Sequence, residues 1–479
     1  MNIIVGNAWP YANGPLHLGR IAVWLPGDII ARYHRLMGDK VVFLSGTDCH
    51  GTPVTTRAKE EEATPLEIVN KYHEEFKRCF SSLGFSFDIF SKTHSKYHEE
   101  KVKEFILELY NKGYIYDKEG QLYFKLSDFE EDVRNIYINE NCWRQNAKDI
   151  LKRYLDGGLR DREVTRDFNW GVDVPLKGYE DKKIYVWIEA VMGYLTASME
   201  CLEERNEQWK EYWEGEDSRI YLVHGKDNIP FHTMIFPAIL IGVGIKDLNI
   251  RIVSSEYLKL EGKPFSTIKN WALWADYISN NYSVDSFRYY LTLNSPENSD
   301  TDFTWREYIN VHNNDLCGNL SLFVNKVLSF SKKNYGNRIP TAQLDENIKN
   351  QILDLYFSIG DNIEEGNFKE ALNILMDFCK KSNKYFDERK MWGLLEKDAI
   401  KCRAITYNAI QIVANLANLL HPFMPHISDK IKISLSMDTL IWSFIEKKSG
   451  IIKDLDILFQ KIDKRKAIEE VSRLKKERI

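Results

Sequence analysis

Apolar positions along the chain fall into two regimes. Short β-rich runs, NIIVG (2–6), VVFLSG (41–46), KIYVWIEA (183–190), IYLVHG (220–225) and IRIVSS (250–255), are separated by longer helical patterns over the first two thirds. That alternation predicts a parallel sheet wrapped by helices, with a site at the carboxyl ends of the strands. After about Asp302 the strand signal thins, and windows 347–363, 366–386 and 400–420 carry apolar residues at three- and four-residue spacing, which predicts a helical bundle. The fold class read from this pattern is α/β with a C-terminal α-helical bundle. The stretch 119–145 reads as a shortened connection without chemistry of its own, since the pattern resumes at Val164. There is no internal repeat and no Pro- or Ser-rich linker.

Composition narrows the picture. With 479 residues, 44% apolar and 28% charged, the chain exceeds one core and is neither disordered nor low in complexity. Its net charge of −5 excludes a globally basic coat for nucleic acid. Residues 311–479 hold 27 basic and 22 acidic side chains and so carry the local excess that suits a polyanion, although Lys and Arg also populate any solvated helix face. The longest apolar run, Phe236–Ile245, is half of what a bilayer span requires, and the start lacks the features of a signal peptide, so no membrane partner and a cytoplasmic location are expected. Seven widely spaced cysteines include no C-x-x-C pair, which fits reduced thiols rather than a disulfide framework or zinc ribbon.

The strand Ile3–Val5 runs into NAWPYANGPLHLGR and then a helical pattern. A Gly/Pro/Asn-rich turn at a helix start is suited to an anion, because free N–H groups and the helix dipole favour phosphate. His17 and Arg20, three apart, are expected on one helix face where both reach the same triphosphate. AWPYANGPLHLGR resembles the first signature of class I aminoacyl-tRNA synthetases, specifically the methionyl-tRNA synthetases. The likeness continues in order through FLSGTDCHGTP (43–53), WGVDVP (170–175), YVWIEAVMGYL (185–195), HGKDNIPFHT (224–233), SSEYLKLEGKPFS (254–266), SFRYYLTLNSPENSDTDFTW (286–305) and HPFMPHISDKI (421–431).

The resemblance implies a Rossmann-like catalytic domain split into 1–118 and 146–253, the connective segment 119–145, a signature-loop and stem-contact region 254–310, and an anticodon-binding-type domain 311–479. It implies ATP-dependent formation of methionyl-adenylate and transfer to tRNA, with ATP, Mg2+ and methionine as small-molecule partners and a monomeric enzyme. Tyr11, Trp187, Val191, Tyr194 and His232 would border the methionine pocket, and Asp48 would take the substrate ammonium. The chemistry agrees: aromatic walls suit a polarizable thioether, and a buried carboxylate suits an ammonium. Any one of these aromatics alone would more often be a core residue. Gly19, Gly225 and Asp227 would join His17 at ATP, Asp227 holding the ribose hydroxyls. Lys263, Ser266 and Thr267 would join His17 and Arg20 as catalytic residues.

The sequence departs from the family in several places. The second histidine of H-I-G-H is Arg20, the first lysine of the K-M-S-K-S loop is Pro264 and its last serine is Ile268, and Val191 replaces a proline. No cysteine lies between Cys79 and Cys142, so the family's zinc knuckle is missing and no zinc or other metal ligand is expected. In the anticodon domain the family's Asn and Arg correspond to Leu322 and Lys326, and Trp442 is matched to the family's stacking tryptophan. These departures leave two rivals beside the ligase: a paralogue that adenylates an amino acid for an acceptor other than tRNA(Met), and a non-catalytic binding homologue.

Overall fold

The computed structural model describes residues 1–139 and 143–477, so Cys142 and the 140–142 part of the expected connection lie outside the described residues. The chain folds as two units: Met1–Ala31 with Asp39–Tyr257 and Pro296–Asp300, and Arg32–Gly38 with Leu258–Ser295 and Thr301–Ile479. Within the expected 254–310 region, residues 254–257 and 296–300 therefore belong to the first unit.

The first unit is built on a five-stranded parallel sheet of β1 (Asn2–Asn7), β2 (Lys40–Thr47), β3 (Ile89–Lys92), β9 (Ser218–Gly225) and β10 (Ile250–Ser255), in the order β10-β9-β1-β2-β3. Ile3, Ile4, Val5, Val42, Phe43, Leu44, Ile220, Leu222 and Val223 are fully buried. Such unbroken apolar runs are what a sheet covered on both faces demands. The chain winds outward from β1 to β3 and then returns to β9 on the other side, so the order reverses between β1 and β9. That switch point opens a crevice at the strand ends where α/β proteins place ligands.

β4 (Ile115–Lys118) and β5 (Gln121–Phe124) form a hairpin with β6 (Arg162–Glu163), while β7 (Thr165–Arg166) pairs with β8 (Lys183–Ile184). The hairpin turn is two residues long, Glu119 and Gly120, both at positive φ (55° and 77°), the conformation that matches strand twist. The stretch expected as a bare connection is thus structural: Leu122, Phe124, Leu126, Phe129 and Val133 enter the core. The Trp143 indole donates to the Ile250 carbonyl at 2.8 Å, and buried Arg144 donates to the Ser254 carbonyl at 3.0 Å.

KIYVWIEA, expected as a strand, is one only at Lys183–Ile184; Val186–Val191 is helical. Ile188 and Glu189 are both buried, as is Val191 one turn on, a spacing that fits a helix face and defeats strand alternation. Tertiary burial overrides the β-branched propensity of the segment.

The second unit carries a small sheet, β12 (Lys263–Pro264), β11 (Leu258–Leu260) and β13 (Thr301–Phe303), and the expected helices. Glu346–Glu364, Phe368–Glu388 and Ala399–Leu420 correspond to the three periodic windows. Ala399–Leu420 is buried all round from Ile405 onward. Its polar residues form a ladder that straps on the segment after 440: Gln411 Nε2 donates to the Lys447 carbonyl at 3.1 Å, Asn415 Nδ2 to Ile445 at 2.8 Å, and the Ile445 N–H returns a bond to Asn415 at 3.0 Å. Buried amides paired in this way avoid the cost of an unsatisfied polar group.

Candidate active site

Beyond the C-terminal end of β1, the chain crosses to the end of β2 through an isolated parallel bridge between Tyr11 and Asp48. The Ala12 N–H donates to the Asp48 carbonyl at 3.0 Å and the Asp48 N–H to Pro10 at 2.9 Å. These bonds set Asp48, a residue only 4% exposed, beside Tyr11. Burial, and then the negative charge of Glu189, hold the Asp48 carboxyl well above its ordinary range. An arriving ammonium would supply the missing countercharge.

The aromatic walls follow from three further elements. The Trp187 indole donates to the Tyr11 hydroxyl at 2.8 Å and meets Phe231 edge-on at 4.6 Å. Tyr194 is buried, and its hydroxyl lies 2.8 Å from His232 Nε2. His232 Nδ1 lies 2.8 Å from the Asn228 carbonyl, which can only accept, so Nδ1 bears the hydrogen and Nε2 accepts from Tyr194. Burial lowers His232 to about 4, so the imidazole is neutral at pH 7. Close backbone approach requires glycine: a Cβ on Gly6 would stand 2.6 Å from the Tyr194 ring, and one on Gly46 would strike Trp9. Val191 is buried in the core of this unit. Trp9 and Phe231 belong to the wall although the sequence reading did not name them.

His17 is not on the helix. It precedes α1 (Leu18–Met37), and its carbonyl accepts the N–H groups of Arg20 at 2.9 Å and Ile21 at 3.2 Å, so it caps the N-terminus. Gly19 and Arg20 lie in the first turn. Burial first, and Arg20 second, lower the His17 imidazole to about 3, leaving it neutral. Nη1 of Arg20 is buried and has no hydrogen-bond partner among the described residues. An orphaned cationic donor at a helix N-terminus is suited to an anionic ligand. At the end of β9, Gly225 leaves open space, its nearest neighbour to a Cβ being Val23 at 4.0 Å. Asp227 is exposed and accepts from the Tyr257 hydroxyl at 2.5 Å. Lys226 is tied to Glu256 at 2.6 Å and lies over the Tyr257 ring at 3.9 Å.

A buried polar network lies behind Asp48. Glu189 Oε1 is 3.1 Å from both His50 Nδ1 and His98 Nε2, and His98 Nδ1 is 2.8 Å from the Thr196 hydroxyl. Burial alone would raise the Glu189 carboxyl, but the two imidazoles, His50 foremost, outweigh it and hold it low. The quoted motifs contain His50 and Glu189; only their burial together, invisible in the sequence, marks them.

In the second unit, Lys263 and Pro264 are exposed residues of an edge strand, where a residue lacking N–H is tolerated. Lys263 lies 5.0 Å from the Trp271 ring. Ser266 and Trp271 exchange backbone bonds at 3.0 and 2.9 Å, so Thr267 to Asn270 form the tip, with Ile268 90% exposed.

Trp442 requires a correction. It is 8% exposed, donates to the Tyr356 carbonyl at 3.1 Å and meets Tyr33 and Tyr356 edge-on at 4.9 and 5.6 Å, so no ring face is open to a base. The open indole of this unit is Trp392, 54% exposed. It lines a groove of about 490 Å³ with Lys326, Lys333, Lys390 and Phe330. Lys326 is held by Asp387 at 2.6 Å and by Asn383 at 3.3 Å, and Leu322, one turn earlier, is 41% exposed.

The family model described as tRNA synthetases class I (M) matches residues 3–122 and 117–328, and that of the anticodon-binding domain of tRNA ligase matches 345–479. The methionine–tRNA ligase 1 of Alkaliphilus oremlandii is 42% identical over 539 residues, covering 99% of this chain and 100% of that protein. The methionine–tRNA ligase of Bacillus mycoides is 42% identical over 540 residues, covering 99% of each. The Mycobacterium tuberculosis methionyl-tRNA synthetase bound by methionyl-adenylate has the same fold, with a TM-score of 0.87 at 23% identity over 96% of this chain and 100% of that one. An alignment of 539 positions exceeds the 479 residues by 60, and the two stretches of the first model meet at the tight turn between β4 and β5. Together these matches span nearly the whole length, and the chain belongs to the class I tRNA synthetases of the (M) family.

Proposed function

We propose that the chain is a methionine–tRNA ligase, which activates methionine with ATP and transfers it to the 3′ end of tRNA. The observation that carries this reading is one constellation in the first unit. An aromatic pocket tuned by the Tyr194–His232 pair has the Asp48 carboxyl at its polar end, and α1 presents an unpartnered Arg20 donor at its N-terminus.

The side chain of methionine occupies the aromatic pocket and its ammonium meets Asp48. Its carboxylate oxygen attacks the α-phosphorus of ATP; the new O–P bond forms as the bond from the α-phosphorus to the bridging oxygen breaks, and pyrophosphate leaves with the electron pair. A hydroxyl of the terminal tRNA nucleotide then attacks the activated carbonyl, and AMP departs. Such displacements need positioning and positive charge more than covalent catalysis. Arg20 supplies permanent charge, neutral His17 supplies hydrogen bonding alone, and Gly19 allows close approach. Asp227 takes the ribose hydroxyls beside Gly225, and Lys263, Ser266 and Thr267 contribute to the triphosphate. Magnesium enters with ATP, held by phosphate oxygens.

Anticodon contact belongs to the groove of Lys326 and Trp392, with Leu322 one turn before Lys326, where an open indole flanked by lysines offers stacking and charge. No helix among the described residues is long and apolar enough to cross a membrane, and the six described cysteines are free, which supports a cytoplasmic enzyme; we take it to be a monomer.

Pyrophosphate exchange assayed with each of the twenty amino acids tests the reading. Methionine is expected to be the sole strong responder. Exchange with another amino acid, or with none, would overturn it.

A further inference from the structure

The widely spaced cysteines form no metal-ligand motif, yet three oxygen- and nitrogen-bearing side chains of the first unit converge beside the polar network. His50 follows β2, His94 follows β3, and Glu99 lies in the first turn of the helix Lys96–Asn111, so all three stand at the carboxyl ends of adjacent parallel strands. One donor atom from each lies within 4.8 Å of the other two. His50 Nε2 is 3.2 Å from His94 Nδ1, which is 2.8 Å from Glu99 Oε1.

The hydrogens at this point do not suffice for the lone pairs. With its ring neutral, His50 donates from Nδ1 to the Glu189 carboxylate oxygen 3.1 Å away, and Nε2 then presents a lone pair. Glu99 Oε1 presents another. Only the single hydrogen that His94 Nδ1 can carry lies between them, and it can serve one of the two well. A cation satisfies all three at once. Ligand atoms around a tetrahedral ion with bonds of about 2.0–2.1 Å stand about 3.3 Å apart, close to the two separations found.

The surroundings fit as well. A carboxylate behind a ligating imidazole, as Glu189 stands behind His50, fixes its tautomer and orientation in metal sites generally. The two imidazole planes are perpendicular, and Trp170, pinned by a 2.7 Å bond to the Cys49 carbonyl, packs against both rings at 5.6 and 4.7 Å. His94 and Glu99 are part-exposed, which gives an ion a way in, while His50 is buried.

We propose that His50 Nε2, His94 Nδ1 and a Glu99 carboxylate oxygen bind a divalent transition cation of the zinc type, with Glu189 orienting His50 from behind. Two imidazoles and one carboxylate select borderline cations over magnesium or calcium. The ion joins the turn after β2, which carries Asp48, to the turn after β3, so its role is to brace the amino-acid end of the pocket. This site has no relation to a cysteine knuckle.

The test uses the full chain stripped with a chelator and titrated with Co2+, whose visible absorption reports coordination, followed by displacement with Zn2+. One equivalent per chain is expected, with intense d–d bands of four- or five-coordinate cobalt and a rise in melting temperature. His94→Ala and Glu99→Gln should each weaken binding by more than the roughly 10–100-fold typical of outer-shell changes. Glu99 is part-exposed, so Glu99→Gln keeps the test available should His94→Ala fail to fold. Less than one equivalent bound in the parent chain would overturn the proposal, as would an unchanged titration in a folded variant.

Discussion

Trp392 and Trp442 of the second unit make opposite predictions, and the structure sets their size. Truncating Trp442 to alanine removes two edge-to-face contacts, at about 0.5–1.5 kcal/mol each, and the indole's hydrogen bond to the Tyr356 carbonyl, at about 1 kcal/mol. With the cavity left behind, the cost is about 4 kcal/mol, within the range of buried Trp truncations. For a unit of this size that lowers the melting temperature by roughly 8–16 °C. Trp392 is half exposed, with Phe330 edge-on at 4.8 Å and Lys333 over the ring at 4.8 Å. Trp392→Ala should cost about 1 kcal/mol in stability but remove a stacking surface worth about 1–3 kcal/mol per base, a loss of roughly 5- to 150-fold in kcat/KM for tRNA. Differential scanning calorimetry and aminoacylation kinetics on both variants separate the roles. A Trp442→Ala protein that melts like its parent yet loses tRNA charging, or a Trp392→Ala protein that charges tRNA normally, would refute the assignment.

Asp48→Asn keeps the shape of the pocket but removes the charge opposite the ammonium; KM for methionine in pyrophosphate exchange should rise roughly 10- to 150-fold, the worth of a charge-assisted bond, and an unchanged KM would place the ammonium elsewhere. Pro264→Lys restores a cation on an exposed edge strand and should speed exchange, whereas an unchanged rate would mean that Lys263 already serves. Acid should destabilise the first unit early. Burial lowers His73 and His232 to about 4, so the unfolded chain binds protons first and stability is lost as pH falls from about 6.5 towards 4. The loss at pH 5 is about 2 kcal/mol for each residue, and equal urea midpoints at pH 7 and pH 5 would contradict it.

Much of this was legible because the first unit obeys local rules. Apolar runs bounded by glycine and polar turns gave β1, β2, β9 and β10, and three-and-four spacing gave the long helices. β3 was missed because Ile89–Lys92 is a short edge strand with every residue half-buried, which leaves no apolar run. Val186–Val191 was misread because β-branched and aromatic residues satisfy either period over six positions, and only burial of Glu189 beside two histidines decides for helix. At the site, pairings between contiguous motifs follow the sequence pattern: Tyr11 bridges Asp48, and Tyr194 meets His232, all within the first unit. Exposure does not. Trp392 and Trp442 are equally aromatic in sequence, and the side-chain ladder on Ala399–Leu420 that buries Trp442 joins residues about 30 apart. The cation cluster escaped for the same reason, since His50 and His94 are brought together by the pairing of β2 with β3.

The central claim is most directly tested by charging tRNA(Met) with labelled methionine at fixed salt, beside the same tRNA carrying a changed anticodon. A ligase whose groove stacks a base on Trp392 is predicted to charge the native tRNA and to discriminate only weakly against a changed anticodon, because an indole stacks any base and Leu322 offers no hydrogen bond to read one. Methionyl-adenylate formed without charging of either tRNA would contradict the account and identify a synthetase fold turned to another acceptor.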